Sequence, residues 1–372
     1  MIRSVALDET AESLRDAVHR RLAPEFAPPS SAPVDPMPAW AALAELGALS
    51  ICLREEAGGL GTGVAAAALV LEPVGRLGIA VPCLDGLCGA AALAEAFPAH
   101  DALLSALSDA AGGGAPVPLA WTEPCRGWER VPETTIAEPM PGGEYRLSGR
   151  KVAVRWADRS DAIVVSAACM GATGLFLVPT DAPGVRRAPC ATADGQSAAD
   201  LDFDGVVLAS SARLDEGAGQ SALEFALDAL AALSLAEAVG AMTSCLELTL
   251  EHLRNRTQFG AQLSSFQALQ HRLVEAYADC ETAWSMTLDA LDALRADVDE
   301  ITRAMRVSAA KAHVGPRARH VAQEALQLHG ATGMTLDYPL GRRVARLTLI
   351  DLGYGDSDWH LDRLLRLGED LT

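Results

Sequence analysis

The segment RTQFGAQLSSFQALQHRL, residues 256–273, lies within a long helical region toward the C-terminus. No proline occurs between Pro189 and Pro316, and apolar residues recur at helical spacing on both sides of the segment. The pattern predicts three long helices, over about residues 221–255, 264–294 and 299–328. Antiparallel helices of this length pack readily as a four-helix bundle. We therefore predict a C-terminal helical bundle over residues 214–372.

The region before the bundle has a different pattern. GEYRLSGRKVAVRWADRSDAIVVSAA (143–168) contains β-branched runs bounded by Gly and Asp, and GLFLVPT (174–180) and LDFDGVVLA (201–209) continue in the same style. Short strands at this spacing are typical of a small antiparallel sandwich or barrel. We therefore predict a middle antiparallel β domain over residues 115–213.

The N-terminal part is rich in Ala and Leu at helical spacing. The pattern predicts helices over residues 7–22, 38–48, 63–77 and 87–110, within an N-terminal helical domain of residues 1–114. The proline cluster between Pro24 and Pro38 predicts a loop, because proline blocks helix interiors and restricts the preceding residue. The order helical domain, β domain, helical bundle defines an α+β fold.

Charge and composition exclude several classes of partner. A net charge of −19 disfavours binding to nucleic acid or to an anionic membrane surface. No run of eighteen apolar residues lacks a charge or a strong breaker, and the start MIRSVALDETAESLRD lacks the layout of a signal peptide, so we expect a cytoplasmic protein. The eight cysteines are dispersed without a C-x-x-C pair, which predicts buried free thiols and no metal site.

Six segments, read in chain order, resemble signatures of the acyl-CoA dehydrogenase family. They are LREEAGGLGTG (53–63), LEPVGRLG (71–78), WTEPCRGWE (121–129), LSGRKVAV (147–154), RTQFGAQLSSFQALQHRL (256–273) and QLHGATGMTLDYPLGR (327–342). The resemblance covers about residues 5–365. It implies that family's fold, an acyl-CoA substrate, FAD as cofactor and electron-transfer flavoprotein as electron acceptor. In this family a glutamate removes a proton from Cα of the thioester while a hydride leaves Cβ for the flavin.

The bundle keeps the residues that the resemblance assigns to a neighbouring subunit's FAD. Arg256 matches the arginine that reaches the pyrophosphate, where a guanidinium fork suits phosphate oxygens. Phe259 matches the aromatic beside the adenine, and Leu263 matches a wall residue. The turn that approaches the dinucleotide is matched by Gln327, Gly330 and Gly333.

The β domain keeps less of its own flavin site. Trp121 and Thr122 match positions that contact the flavin ring. The serine that caps the pyrophosphate in the family is replaced by Trp128. The aromatic and the threonine that follow the strand lysine in the family are replaced by Ala153 and Arg155.

The catalytic glutamate is absent from both positions that the family uses. After the last signature the glutamate position falls on Tyr354 or Gly355, depending on a one-residue shift, and on the first bundle helix it falls on Leu230. Carboxylates near these positions are candidate substitutes for the base: Asp356 and Asp358 in the loop, and Glu224 and Asp228 on the helix. Of the four, Asp356 and Asp228 are the predicted candidates for a substitute base.

These departures leave three hypotheses for function. The first is the glutamate-lacking subunit of a heteromeric acyl-CoA dehydrogenase, as in sterol side-chain degradation, which gives FAD contacts in trans to a paralogous chain. The second is a homomeric flavoenzyme with a substitute base, or a flavin monooxygenase or oxidase that needs none. The third is a non-enzymatic paralogue.

Overall fold

A computed structural model describes residues 9–26, 34–215 and 217–369. The N-terminal region contains five α-helices: α1 (Glu9–Phe26), α2 (Met37–Glu45), α3 (Ala68–Leu77), α4 (Gly89–Ala96) and α5 (Asp101–Ala111). A π-helical turn, Leu84–Cys88, precedes α4. Helix α1 runs beyond its predicted end at residue 22, so the predicted proline loop begins later. Residues 27–33 of that loop lie outside the described residues.

The helix predicted over residues 87–110 is two helices. Helix α4 ends before Pro98, and α5 begins after His100, whose Nδ1 accepts a hydrogen bond from the backbone N–H of Leu103 at 3.2 Å. Proline lacks the amide proton that a continuous helix needs at this point. Because apolar residues recur at helical spacing on both sides of Pro98, the pattern predicted one continuous helix and missed the break at this proline.

A seven-stranded sheet forms the middle of the chain. Its strands are β1 (Leu119–Ala120), β2 (Ile136–Pro139), β3 (Tyr145–Arg155), β4 (Ala162–Cys169), β5 (Ala172–Pro179), β6 (Val185–Ala191) and β7 (Ser197–Leu208). The order is β1-β4-β2-β3-β7-β6, and β5 pairs with β4.

The sheet is mixed, whereas the sequence predicted antiparallel pairing throughout. Strands β1 and β2 both run parallel to β4, and the remaining pairs are antiparallel. Parallel neighbours need a long connection rather than a tight turn. Strand β2 runs in the same direction as β1. The irregular segment of residues 121–135 between them is long enough to carry the chain back, so that β2 can also pair with β4 in parallel.

The C-terminal region contains α6 (Gly219–Asn255), a short hairpin of β8 (Thr257–Gln258) and β9 (Ala261–Gln262), and the helices α7 (Gln267–Asp292), α8 (Glu300–His329), α9 (Leu340–Leu352) and α10 (Ser357–Glu369). The three long helices match the predicted spans within a few residues. By length and composition α6 could cross a membrane, but 94% of its most apolar window is buried inside the protein. That burial is typical of the central helix of a packed bundle.

Two hydrophobic clusters hold these elements together. One runs through the N-terminal helices and the bundle, and the other lies within the sheet. The N-terminal helices therefore share their core with the bundle. Six of the eight cysteines are buried as predicted, whereas Cys125 and Cys190 are exposed.

Helices α3 and α6 cross at two glycines. A Cβ added to Gly75 would lie 2.0 Å from the carbonyl oxygen of Glu237, and one added to Gly240 would lie 2.1 Å from the carbonyl oxygen of Glu72. Real Cβ atoms do not approach backbone oxygens so closely, so each helix must move to accept a side chain at either position.

Gly240→Ala is expected to lower the free energy of unfolding by about 1–3 kcal/mol, because overpacking forces the two helices apart. Denaturant unfolding monitored by circular dichroism measures the change. The matched control is Gly368→Ala on α10, where an added Cβ meets nothing within 4 Å. Because alanine favours helix over glycine, the control should be neutral or slightly stabilising. Equal stability of Gly240→Ala and wild type would contradict the close crossing.

Candidate active site

A cavity of about 210 Å³ lies where the N-terminal helices, the sheet and the bundle meet. It brings together seven positions singled out from the sequence: Trp121, Thr122, Trp128, Ala153, Arg155, Leu230 and Tyr354. The π-helical turn adds Leu84 and Asp85, and α9 adds Arg346 and Ile350. The walls are mostly apolar, and the charged groups gather at the side formed by Asp85, Arg155 and Arg346.

The wall that carries Trp121 and Thr122 is fixed by a buried ion pair. Lys151 Nζ donates to the carbonyl oxygen of Trp121 and to Oε1 of Glu123, both at 3.1 Å. The carboxylate of Glu123 also accepts backbone N–H groups of residues 133, 134 and 135 at 2.8–3.0 Å. An irregular backbone segment is thus pinned beneath the cavity by charge-assisted hydrogen bonds.

Protonation within this pair follows from burial and contact. Burial lowers the pKa of Lys151 to about 8, although the carboxylate of Glu123 opposes that shift. For Glu123, burial alone would raise the pKa, but the hydrogen bond from Thr134 and the charge of Lys151 outweigh it and lower the pKa overall. The carboxylate is therefore ionised at neutral pH.

Of the two alternative glutamate positions in the loop, Tyr354 is the one that faces the cavity. Its hydroxyl donates a hydrogen bond to the carboxylate of Asp85. Burial first, and then the charge of Asp85, raises the pKa of Tyr354, so the phenol stays neutral and cannot act as a base.

Gly355 cannot hold a glutamate in this arrangement. Its backbone has φ of +106°, and an added Cβ would lie 2.5 Å from Trp359 and 2.9 Å from Nε2 of His360. Leu230 lines the cavity with an apolar side chain and lies on the buried face of α6. None of the three positions can abstract a proton.

Asp85 is a cavity residue that the sequence did not single out. It lies on the π-helical turn within an apolar stretch, and its partner Tyr354 is distant in sequence. A lone acid in the apolar segment VPCLDGLCG (81–89) was the available signal. In the described part of the chain, Asp85 is the only carboxylate among the residues that line the cavity.

A chain of ion pairs continues from Asp85 into the protein. The Arg155 guanidinium lies 3.9 Å from Asp85, and its Nη1 contacts Asp194 at 3.2 Å. Arg346 contacts the same Asp194 at 3.0 Å and holds both carboxylate oxygens of Glu237 at 2.7 Å. Arg155, at the position of the family's flavin-contacting threonine, is therefore part of a network that joins the sheet to the bundle.

Asp228 is the centre of a second buried cluster and is not at the cavity. Its fully buried carboxylate contacts Arg130 at 2.8 Å, Arg363 at 2.6 Å and Arg303 at 3.3 Å. Burial alone would raise its pKa, but Arg130 and Arg363 outweigh burial and lower the pKa. Asp228 is therefore a structural ion-pair centre, and its prediction as a candidate base is corrected. Glu224 contacts Arg130 and Arg363 at the edge of the same cluster.

Asp356 caps helix α10. Its Oδ1 accepts the backbone N–H of Trp359 at 2.9 Å, as an N-cap carboxylate does. Neither Asp356 nor the exposed Asp358 lines the cavity. The prediction of Asp356 as a candidate base is also corrected, because its carboxylate caps the N-terminus of α10.

The bundle residues predicted to contact FAD lie together on the outside of the protein. Arg256 is exposed at the end of α6, and Phe259, at the tip of the hairpin, has 91% of its surface exposed. Leu263 is half-buried, and its backbone N–H donates to the carbonyl oxygen of Arg256 at 2.9 Å. Gln327 and Gly330 are exposed at the end of α8, and Gly333 is buried just beyond. None of these residues lines the cavity.

The predicted FAD-contacting residues of the bundle form what we call the outer half-site: Arg256, Phe259, Leu263, Gln327, Gly330 and Gly333. The outer half-site and the cavity differ in how well they fit FAD. In the described residues no carboxylate pairs with the exposed Arg256 guanidinium, so it is available for a phosphate from outside the chain. The cavity, in contrast, falls below the roughly 300 Å³ of common ligand pockets. Trp128 also bridges the loop to α9, since its indole N–H donates to the carbonyl oxygen of Leu352 at 3.0 Å.

Comparison with known proteins identifies the class of this fold and site. The family model for the acyl-CoA dehydrogenase N-terminal domain matches residues 6–96, and that for the C-terminal domain matches residues 217–367. The chain belongs to the acyl-CoA dehydrogenase family, whose members are FAD-dependent oxidoreductases.

Individual relatives match nearly the full chain. The mitochondrial isovaleryl-CoA dehydrogenase of Oryza sativa subsp. japonica is 26% identical, with 95% of this chain and 90% of that protein covered. Acyl-CoA dehydrogenase FadE28 of Mycobacterium tuberculosis is 29% identical, with 82% and 84% covered. Among solved structures, a variant of the Tcur3481-Tcur3483 steroid ACAD is 28% identical with a TM-score of 0.87, and 97% of this chain and 98% of that chain are covered.

Proposed function

We propose that this chain is the base-lacking subunit of a heteromeric acyl-CoA dehydrogenase and contributes FAD contacts to the active site of a paralogous partner. The observation that carries the proposal is the hydrogen bond from Tyr354 to Asp85. Tyr354, one of the two possible glutamate positions of the loop, faces the cavity, and its hydroxyl donates to Asp85, the one carboxylate among the described residues that line the cavity. A general base must reach the substrate proton. One oxygen of Asp85 accepts from Tyr354 and the other lies 3.9 Å from the Arg155 guanidinium, so the carboxylate is directed toward groups of its own chain.

The state of the chain's own flavin-ring site supports the same proposal. Trp128, Arg155 and Tyr354 are larger than the serine, threonine and glutamate that the family places there. Trp128 and Tyr354 contact Leu352 and Asp85 at the cavity wall, whereas Arg155 pairs with Asp194 in the ion-pair network behind the wall. The cavity that remains, about 210 Å³, is below the roughly 300 Å³ of common ligand pockets.

The outer half-site supports a role in trans. Arg256 and Phe259 project from the hairpin, away from the cavity of their own chain. An exposed arginine beside an exposed aromatic suits the phosphate and adenine of a dinucleotide held by another chain. When bound there, FAD supplies the hydride acceptor for α,β-desaturation of an acyl-CoA.

The related steroid ACAD bears the names of two proteins, Tcur3481 and Tcur3483. This pairing supports our more specific proposal that the substrate is a steroid acyl-CoA and that the assembly is a heterotetramer. We propose electron-transfer flavoprotein as the electron acceptor of this assembly.

The proposal is tested by expressing the chain alone and together with a paralogous acyl-CoA dehydrogenase, then recording visible spectra and mass in solution. We expect the lone chain to be colourless and the co-purified pair to carry flavin that is bleached by an acyl-CoA. A yellow homotetramer of the lone chain that is reduced by an acyl-CoA would overturn the proposal and favour the homomeric enzyme. A pair that forms but never binds flavin would favour a non-enzymatic role.

Arg256→Ala is expected to weaken FAD binding by the pair by about 10–100-fold, since a charge-assisted hydrogen bond contributes about 1.5–3 kcal/mol. Because Arg256 is exposed, the thermal stability of the lone chain should not change. Flavin fluorescence titration of the deflavinated pair measures the affinity. The matched control is Arg254→Ala, which removes an exposed arginine from the same helix end. Equal losses in both variants would show a general charge effect and contradict the specific contact.

A further inference from the structure

Two histidines link the segments that form the outer half-site. Helix α6 leads into the hairpin that carries Arg256, and α8 leads into the turn that begins at Gly330. His252 lies in the last turn of α6, and His329 is the last residue of α8. Their ring centroids are 4.5 Å apart, and the ring planes are inclined by 33°. The imidazole pair is therefore one contact between the two helix ends.

Tyr338 anchors this pair to the far end of the turn. Nδ1 of His329 lies 2.7 Å from the carbonyl oxygen of Ala325, and Nε2 lies 3.0 Å from the hydroxyl of Tyr338. A carbonyl oxygen only accepts, so Nδ1 carries the proton, and Nε2 is then free to accept from the phenol. This arrangement uses the neutral form of His329. A protonated ring would instead donate a hydrogen bond from Nε2 to the hydroxyl oxygen, so the phenol proton would lose its acceptor.

We propose that His252 and His329 are positioning residues, which hold the hairpin and the turn in register for FAD only while both imidazoles are neutral. The inference rests on the proposed function, because it concerns the same outer half-site. It adds a control of the outer half-site by pH. This control acts through the two histidines and not through the FAD-contacting residues.

Burial and charge around the pair favour the neutral state. Burial lowers the pKa of His252, and the charges of His329 and Arg256 lower it further. Burial also lowers the pKa of His329 and outweighs the backbone hydrogen bonds to Ala325 and Leu248, which raise it. In the described part of the chain, the buried Nε2 of His252 has no hydrogen-bond partner, so a proton there would be unsatisfied. Burial raises the pKa of Tyr338, the charge of Glu251 on α6 raises it further, and the charge of Arg343 on α9 opposes the shift.

The sign of the pH effect follows from these directions. The folded-state pKa of each histidine lies below the unfolded value, so the unfolded chain binds more protons as the pH falls below about 6.5. The folded arrangement is therefore fully stable above that pH and loses stability below it. Two positive charges stacked in contact would add direct repulsion.

The test is hydrogen exchange of the full-length lone chain, read by mass spectrometry at residues 253–266 and 328–340 and corrected for the intrinsic pH dependence. We expect exchange in both segments to rise by about tenfold between about pH 7.5 and pH 5, because the unfolded segments take up protons that the folded pair does not. His252→Phe keeps an aromatic ring without a titrating proton, so its exchange should stay low and respond less to pH. His252→Ala removes the ring, so its exchange should be raised at both pH values. His313→Gln, which removes another half-buried histidine of α8, should behave as wild type.

Several outcomes would overturn the inference: pH-independent exchange in wild type, an undiminished pH response in His252→Phe, or equal protection in His252→Ala and His252→Phe. The wild-type and phenylalanine measurements decide the matter even if the alanine variant does not fold. The readout contains no flavin. A failure of FAD binding by the pair would therefore overturn the proposed function and leave these exchange results unchanged.

Discussion

Asp228→Asn is expected to lower the free energy of unfolding by about 3–5 kcal/mol, because it leaves buried charges without their counter-ion. The carboxylate is fully buried and shared by Arg130, Arg303 and Arg363, and an amide cannot neutralise any of them. In the described part of the chain, Arg130 is held by this cluster and by stacking on Trp359. Urea unfolding of the full-length chain at neutral pH measures the loss.

The control for this variant is Asp362→Asn, which removes an exposed i,i+4 ion pair with Arg366. Exposed pairs contribute little, so the control should change stability by less than about 1 kcal/mol. If Asp228 were instead the catalytic base, its replacement would abolish activity and leave stability unchanged. Two variants of equal stability would therefore contradict the structural role assigned to the cluster.

Arg346→Met is expected to destabilise the fold by a comparable amount, about 3–5 kcal/mol. The methionine keeps much of the side-chain volume but leaves the carboxylates of Glu237 and Asp194 without their shared arginine. Because a carboxylate that loses its partner in a buried site binds protons more readily, the variant should also lose less stability than wild type as the pH falls. Unfolding measured at several pH values tests both expectations.

The double variant Arg346→Met, Glu237→Leu separates charge from packing. Removing both partners replaces an ion pair by apolar side chains, which is often close to neutral, so part of the lost stability should return. Asp194 keeps its contact with Arg155 in this background. A double variant less stable than the single one would show that Glu237 contributes through packing and not through its pairing with Arg346.

The sequence predicted the bundle well because its determinants are local. The absence of proline and the periodicity of α6 located its ends within a few residues. No residue pattern predicted the hairpin between α6 and α7, and the FAD contacts that the resemblance implies for Arg256 and Phe259 stay predictions. Local patterns failed where the structure depends on distant partners. The parallel pairing of β1 and β2 with β4 is decided by how the 121–135 segment crosses, and no residue pattern within the strands encodes it.

The cavity shows the same limit. Tyr354 could be named from the sequence as one of two possible glutamate positions, but only packing against Trp359 and His360 excludes Gly355. Asp85 could not be found, because its importance comes from a hydroxyl contributed by the other end of the chain. The sequence made Asp228 a candidate base because it lies near the glutamate position on the first bundle helix. The three arginines that surround it come from separate parts of the sequence, so no local pattern indicated the cluster.

The core shared by the N-terminal helices and the bundle has a consequence for synthesis of the protein. Helices α3 and α4 bury their apolar faces against α6, which leaves the ribosome more than a hundred residues later. Until then the nascent N-terminal region exposes surface that it cannot cover by itself, and such intermediates aggregate readily. Production of the chain should therefore depend on chaperones that shield this surface until translation of the bundle is complete.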